Sequence, residues 1–232
     1  MKVPEQLETA AEALALVRER GALPLTPVGG SDSLAERVAG ERVQGSWCDH
    51  PASARIVELS AALEASPEVL TLKLVGGKVT FVHAALWPAL LRVARDPARL
   101  ARVRAGLSPA AVRLLEEVER TGEAHLDQLG RQNSWPPERD LARAAKELEA
   151  GLLAHLSTPA AERGRQALVA RSWARVVPAS TQRQANQLSF QGALETLRSH
   201  GAALAPSSGA AADPRPRTGA RPPHGRVSGG RS

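Results

Sequence analysis

The sequence predicts an α+β fold that is mainly α-helical with small β-hairpins, and in which one order of elements occurs twice. Three observations support this prediction. Apolar residues recur at spacings of three and four over much of the chain, which is typical of helices with one buried face. The segment VLTLKLVGGKVTFVH instead alternates with a period of two around a Gly-Gly pair, as expected for a hairpin. The dipeptide Ser-Trp occupies two matching places before a helical pattern, at 46–47 and 134–135.

The first set of elements starts with three predicted helices, at residues 4–20, 33–39 and 51–65. Gly21 and Gly40 are typical helix ends, and Ser66-Pro67 terminates the third helix. The expected inward positions of the first and third helices are Leu7, Ala11, Leu14, Val17, Ile56, Leu59 and Leu63.

The hairpin follows the third helix and completes the first set. A two-residue turn at Gly76-Gly77 predicts a register in which Leu72 lies opposite Phe81. That register gives one apolar face, expected to lie on the helices, and one mixed face in contact with water. Three helices followed by such a ribbon is the order of the winged helix, in which the ribbon is called the wing.

The second set repeats this order after a connecting segment, residues 85–107, that Asp96-Pro97 breaks into two helices. It has a helix that Ser108-Pro109 starts, a short helix at 125–130, a third helix at 136–151, and strands in LLAHLS and RQALVARSW. The expected inward positions of the second set are Val112, Leu115, Val118, Leu126, Leu129, Leu141, Ala145, Leu148 and Leu152.

We therefore predict tandem winged-helix domains. Their expected ranges are 1–84 for the first domain, 85–107 for the connecting helices, 108–175 for the second domain, 176–205 for a linker and C-terminal helix, and 206–232 for a disordered basic tail. We expect the tryptophans at 47 and 135 to pack in the corner before each third helix.

Charge and composition limit the function classes. The net charge is +6, but the tail holds five arginines against one aspartate, which leaves 25 basic and 23 acidic residues in positions 1–205. A site for a polyanion must therefore be a local patch. With no apolar run of membrane-spanning length and no secretory signal, the expected location is cytoplasmic. Cys48 is the only cysteine, and we expect neither a metal nor a small-molecule cofactor.

Basic residues of the second set form the candidate site. Three of them fall at spacings of four and three on the face of the third helix opposite its leucines, and two lie at the expected wing tip. Where winged helices bind DNA, the third helix enters the major groove and the wing touches the adjacent backbone, so these cations suit double-stranded DNA. The candidate DNA-binding residues are Arg139, Arg143, Lys146, Arg163 and Arg165, with Lys73 and Lys78 from the first set.

Acidic residues on the same helix leave a second interpretation open. Arg143 and Glu147 have the i,i+4 spacing of an ordinary helical ion pair. The outward face of this helix can therefore also be a solvated, salt-bridged surface without a partner.

Several segments resemble a known family. GSWCDHP, LTLKLVGGKVTFVHAALWPALL and AAKELEAGLLAHLS, followed by ERG and SW, are similar to a bacterial family of winged-helix proteins related to the AlkZ-type DNA glycosylases, over residues 7–173. The resemblance implies tandem winged helices and a link to DNA repair. It also implies a catalytic Gln-x-Gln motif near the start of the fold, which is missing because Gln44 has no partner glutamine. Gln182-Arg183-Gln184 has the right letters but follows the second wing, in an expected polar linker.

Three functions remain as hypotheses. The first is a non-enzymatic, DNA-binding tandem winged-helix protein that acts in DNA repair or transcription. The second is a divergent glycosylase acting on alkylated or crosslinked bases, which requires extrusion of the base into a pocket. The third is a protein-binding scaffold that uses winged helices as packing surfaces.

Overall fold

The structure is a computed structural model that describes residues 6–158 and 168–202. The described residues are mostly helical and contain two antiparallel sheets of three strands, which confirms the α+β class. The elements of the first half are α1 (Ala10–Arg20), β1 (Ala22–Pro24), α2 (Leu34–Ala39), α3 (Ser53–Glu64), β2 (Val69–Lys73) and β3 (Val79–His83).

The second half follows two connecting helices. These are α4 (Trp87–Ala94) and α5 (Pro97–Ala105). The elements after them are α6 (Pro109–Thr121), β4 (Glu123–His125), α7 (Leu126–Leu129), α8 (Glu138–Ala150), β5 (His155–Ser157), β6 (Val169–Arg171), α9 (Trp173–Val176), α10 (Ala179–Gln187) and α11 (Phe190–Ser199).

The two halves have the same order of elements and the same sheet topology. Each contains helix, strand, helix, helix, strand, strand, and the sheets have the strand orders β1-β3-β2 and β4-β6-β5. The last strand is therefore central in both sheets, and the strand before it is an edge. We call α1 to β3 the first unit and α6 to β6 the second unit.

Two predicted helix faces each include one residue that the structure exposes, whereas their other predicted positions are buried or partly buried. Helix α1 begins at Ala10, because Thr9 and Glu12 form a capping box there. Its inner face is Ala13, Leu16 and Val17, so the prediction of Ala11 as an inward residue is wrong. Likewise, Val112 is 39% exposed, and α6 buries Ala111, Leu114, Leu115 and Val118. In both helices apolar or small residues also lie beside the buried face, and tertiary packing decides which of them is covered.

The third helix of each set has the predicted inner face. Ile56, Leu59 and Leu63 of α3 are buried between α1 and α2. In α8 the predicted positions are also buried, and they meet α6 and α7. Each unit therefore has a small helical core of its own.

The predicted register of the first hairpin is wrong by one residue. In the structure Leu72 lies opposite Thr80 and Thr71 opposite Phe81. The reason is the connection, which runs from Leu74 to Lys78 through a short 3-10 turn instead of closing in two residues. Since side chains alternate along a strand, the shift exchanges the two faces of β3.

The first sheet is buried on both faces, which also contradicts the expected wet face. Phe81 and Leu23 pack on the core of α1, α2 and α3. Leu72 and Val82 pack on the other side against a second cluster that includes α4 and α11. The covering helices come from the region expected to be a linker and a C-terminal helix. Residues 179–187 of the expected linker form α10, and both α10 and α11 pack against α4.

The same cluster joins the two units. Leu152, which follows α8, and Trp173, which follows β6, lie in one core with strands β2 and β3 and helix α4. The Trp173 indole N–H donates to the Leu152 carbonyl at 2.8 Å. Edge strands β2 and β5 also contact each other, so each sheet covers one of the two edges of the other.

Several sequence predictions fall outside the described residues. They are the wing-tip arginines Arg163 and Arg165 and the basic tail at 206–232. Among the helices that are described, none has both the length and the apolar character needed to cross a membrane. Within the same residues, no three His, Cys, Asp or Glu side chains are grouped to hold a metal ion.

Candidate nucleic-acid interface

Helix α8 presents the three predicted cations on its outward face. Its inner face packs Leu141, Ala144, Ala145 and Leu148 against the second-unit core, which turns the opposite side of the helix to solvent. Arg139, Arg143 and Lys146 all lie on that solvent side and are exposed. We call these three residues the α8 row.

Two of the four acidic residues on α8 do not face the row. Glu147 accepts a hydrogen bond from the Ser108 backbone N–H at 2.9 Å and so helps to start α6. Glu149 is buried near the junction of the two units. These two carboxylates therefore serve the fold.

The remaining two acidic residues lie in the first turn of α8. Asp140 forms an i,i+3 pair with Arg143 at 3.4 Å, so the predicted pair of Arg143 with Glu147 is wrong. Glu138 is exposed. Over residues 6–158 and 168–202, neither Arg139 nor Lys146 forms an ion pair.

Lys73 of the first unit lies beside the end of the α8 row. It is the last residue of β2, and its Nζ is 4.0 Å from Oε2 of Glu149. The Lys73 side chain is 43% exposed, whereas that of Glu149 is 7% exposed. Burial raises the pKa of Glu149, and the charge of Lys73, the nearby Lys73 backbone and the charge of Lys146 oppose this rise. Both lysines therefore act on the same buried carboxylate.

Lys78 lies away from the α8 row, among residues of the first unit. Its exposed side chain follows the hairpin turn and lines a cavity of about 240 Å³ with Trp47, Val43 and Thr26. It therefore borders the first unit's own surface. Trp47 is half-buried against the first-unit core, the position expected for a packing residue.

Trp135 occupies the corresponding position before α8 and lines a larger cavity of about 470 Å³. The ring packs against the second-unit core, and the Arg113 guanidinium lies over it, 4.2 Å from the centroid. Arg113 also donates to the Ser134 carbonyl. Arg120, on the cavity wall, is paired with Glu117. These contacts favour a packing role for Trp135.

His155 is a buried residue that the sequence analysis did not single out. It lies in edge strand β5, and within the described residues neither ring nitrogen has a hydrogen-bond partner of good geometry. Burial lowers the pKa of His155 to about 4; the nearby backbone of Thr71 opposes the shift, and the charge of Arg171 adds to it. Its ring centroid is 6.2 Å from that of Trp173. His155 is therefore a neutral packing residue of the junction.

Gln182 makes structural hydrogen bonds. Its Oε1 accepts from Arg95 at 3.0 Å and its Nε2 donates to the Val177 carbonyl at 3.3 Å. Both amide atoms therefore connect α10 to neighbouring segments, which favours a packing role for the first glutamine of Gln182-Arg183-Gln184.

Sequence reasoning did not identify the contacts of Glu149 and Arg113, for different reasons. Glu149 shows a weak signal, because it is an acidic residue on the buried side of an amphipathic helix, where a partner is required. Arg113 shows none, since its contact with Trp135 depends on how α6 packs.

We compared the chain with protein-family profiles, with curated proteins and with solved structures, and none of the three comparisons gave a match.

Proposed function

We propose that this protein binds double-stranded DNA through tandem winged-helix domains, without enzymatic activity, and acts in DNA repair or transcription. In this proposal α8 of the second unit enters the major groove. The observation that carries the proposal is the α8 row: three exposed cations on the third helix, two of them unpaired among the described residues.

The geometry of α8 supports this role. A helix rises about 1.5 Å per residue, so the row from Arg139 to Lys146 spans about 10 Å, close to the major-groove width of about 12 Å. Cations at this spacing can reach phosphates on either side of the groove, while the short side chains between them leave room for base edges. The first unit is a weaker candidate, because residues 6–84 carry ten acidic and seven basic side chains.

The test is the salt dependence of binding to a short labelled DNA duplex, measured by fluorescence anisotropy with the full-length chain. Each phosphate contact contributes a slope of about −0.9 to the plot of log affinity against log salt. Replacing Arg139, Arg143 and Lys146 together with alanine should therefore make the slope less negative by about three and weaken binding at low salt.

A matched control removes three positive charges elsewhere. Arg18, Arg104 and Arg120 are paired with Glu68, Glu119 and Glu117 respectively. Their joint replacement with alanine should leave the slope near that of the native chain. If the two triple variants lose affinity equally, net charge and not the α8 row controls binding, and the site assignment fails.

The wing-tip prediction has its own variant. Replacing Arg139, Arg143, Arg163 and Arg165 with alanine should abolish the salt-dependent binding, because helix and wing then both lose their phosphate contacts. Unchanged binding in this variant would discard the assignment of helix and wing together.

A further inference from the structure

The junction of the two units places a first-unit cation beside the α8 row. Strand β2 ends at Lys73 next to the C-terminal turn of α8, where Glu149 lies buried. Lys73 approaches Glu149 from the first unit, and Lys146 acts on it from the preceding turn of α8. The carboxylate is therefore influenced by lysines of both units.

A buried carboxylate restrains its cationic neighbours. Removing a charged group from water is costly unless a charge of opposite sign lies close to it, so moving Lys73 away from Glu149 is unfavourable. This restraint keeps Lys73 at the end of the row, although Lys73 belongs to strand β2 of the first unit.

Lys73 nevertheless retains capacity for another partner. Its Nζ is 4.0 Å from the Glu149 oxygen, beyond the roughly 2.7–2.9 Å of a charge-assisted hydrogen bond. Its side chain is 43% exposed. The ammonium group therefore feels the carboxylate but keeps N–H donors directed to solvent, where a phosphate oxygen can accept them.

We propose that Lys73 extends the α8 row across the junction, so that one DNA duplex contacts both units at once, and that Glu149 is the positioning residue that holds Lys73 there. This inference rests on the proposed function, since it concerns the same surface. Because the row alone spans about the width of the groove, Lys73 beyond its end meets the phosphate backbone on the flank.

The experiment is the salt dependence of duplex binding by Lys73→Met, which keeps the apolar part of the side chain and removes the charge. The slope should become less negative by about one relative to the native chain, and by about two when Lys146→Met is added. Lys73→Arg should restore the native slope. Arg55→Met removes a first-unit cation that already pairs with Glu58 and bonds to the Glu8 carbonyl, and it should leave the slope unchanged.

A double-mutant cycle tests the positioning role of Glu149. Glu149→Gln should change DNA affinity in the native background and have an effect at least about threefold smaller in the Lys73→Met background. A Glu149 that acts only through the fold would give equal effects in both backgrounds, which contradicts the positioning role. Circular dichroism of each variant identifies any loss of folding.

Failure of this inference is distinguishable from failure of the proposed function. If the α8 triple variant loses salt dependence while Lys73→Met keeps the native slope, the duplex contacts the second unit only and the inference is wrong. If the native chain shows no salt-dependent binding, both the inference and the proposed function are wrong.

Discussion

At the scale of single residues, His155 links stability to pH. Its pKa is about 4 in the folded protein against 6.5 for a free side chain, because burial disfavours the imidazolium. Between these values the unfolded chain binds a proton that the folded chain does not. The contribution of His155 to stability is therefore complete above about pH 6.5 and is lost as the pH falls towards 4, a total of about 3 kcal/mol.

We expect His155→Leu to remove most of this pH dependence. The substitution replaces a buried ring that has no good hydrogen bond with an apolar side chain, so stability at neutral pH should be little changed. Urea unfolding at pH values from 4 to 6.5 provides the measurement. His125 is more exposed, and His125→Leu serves as the control. This variant should keep the native dependence of the free energy of unfolding on pH. If His155→Leu keeps the native dependence of the free energy of unfolding on pH, groups other than His155 cause the loss of stability in acid.

Glu149 acts in the opposite direction in part of the same range. Burial raises its pKa above 4.5, so the folded protein binds a proton more readily than the unfolded chain. Its contribution to stability is present below pH 4.5 and is lost as the pH rises through the folded pKa. The effect of Glu149 is present in both the native chain and His155→Leu. The difference between their free energies of unfolding at each pH therefore reports the contribution of His155 alone.

At the scale of elements, α11 stabilises the molecule by covering the first sheet. Leu197 of α11 is 1% exposed in the cluster that contains Leu72 and Val82, whereas Leu188, just after α10, is 37% exposed. We expect Leu197→Ala to lower the free energy of unfolding by about 2–5 kcal/mol and Leu188→Ala to lower it by less than about 1 kcal/mol. Chemical denaturation measures both values. Equal losses would mean that α11 does not belong to the core.

The hairpin shows what sequence patterns decide and what they leave open. Alternation located both strands, but every residue from Val69 to Leu72 except Thr71 is apolar, so the pattern does not choose which face is inward. The choice depends on α4, which follows the hairpin directly, and on α10 and α11, which lie far along the chain. Pairwise spacing cannot indicate that such a distant segment covers a strand.

In the candidate site, too, some features could be predicted from the sequence and others could not. The outward position of Arg139, Arg143 and Lys146 was predictable, because the period of a single helix determines it. The approach of Lys73 to Glu149 was not, since it depends on how two units pack. Local patterns thus indicate which residues share a helix face, and tertiary packing decides which faces meet.

At the scale of the whole molecule, the shared cluster couples the two units. Trp173 packs there against residues of both halves, and its indole bonds to Leu152. We expect Trp173→Ala to cost about 3–5 kcal/mol and to separate the unfolding of the units. Circular dichroism follows both units, and a fluorophore on the exposed Cys48 follows the first.

The native chain should give coincident unfolding curves with the two probes. Trp135→Ala is the control, because this ring is half-buried at the edge of the second-unit core only. It should shift both curves while leaving them coincident. Coincident curves in Trp173→Ala would show that other contacts are enough to hold the units together.

The mutual covering of edge strands β2 and β5 has a consequence during synthesis. Ribosomes add residues from the N-terminus, so the first unit is complete well before β5, α10 and α11 have been made. During that interval the nascent chain exposes an open row of amide and carbonyl groups along β2, together with the apolar side of its sheet. The early chain is then most vulnerable to association with its neighbours, and translation of the C-terminal helices ends this period.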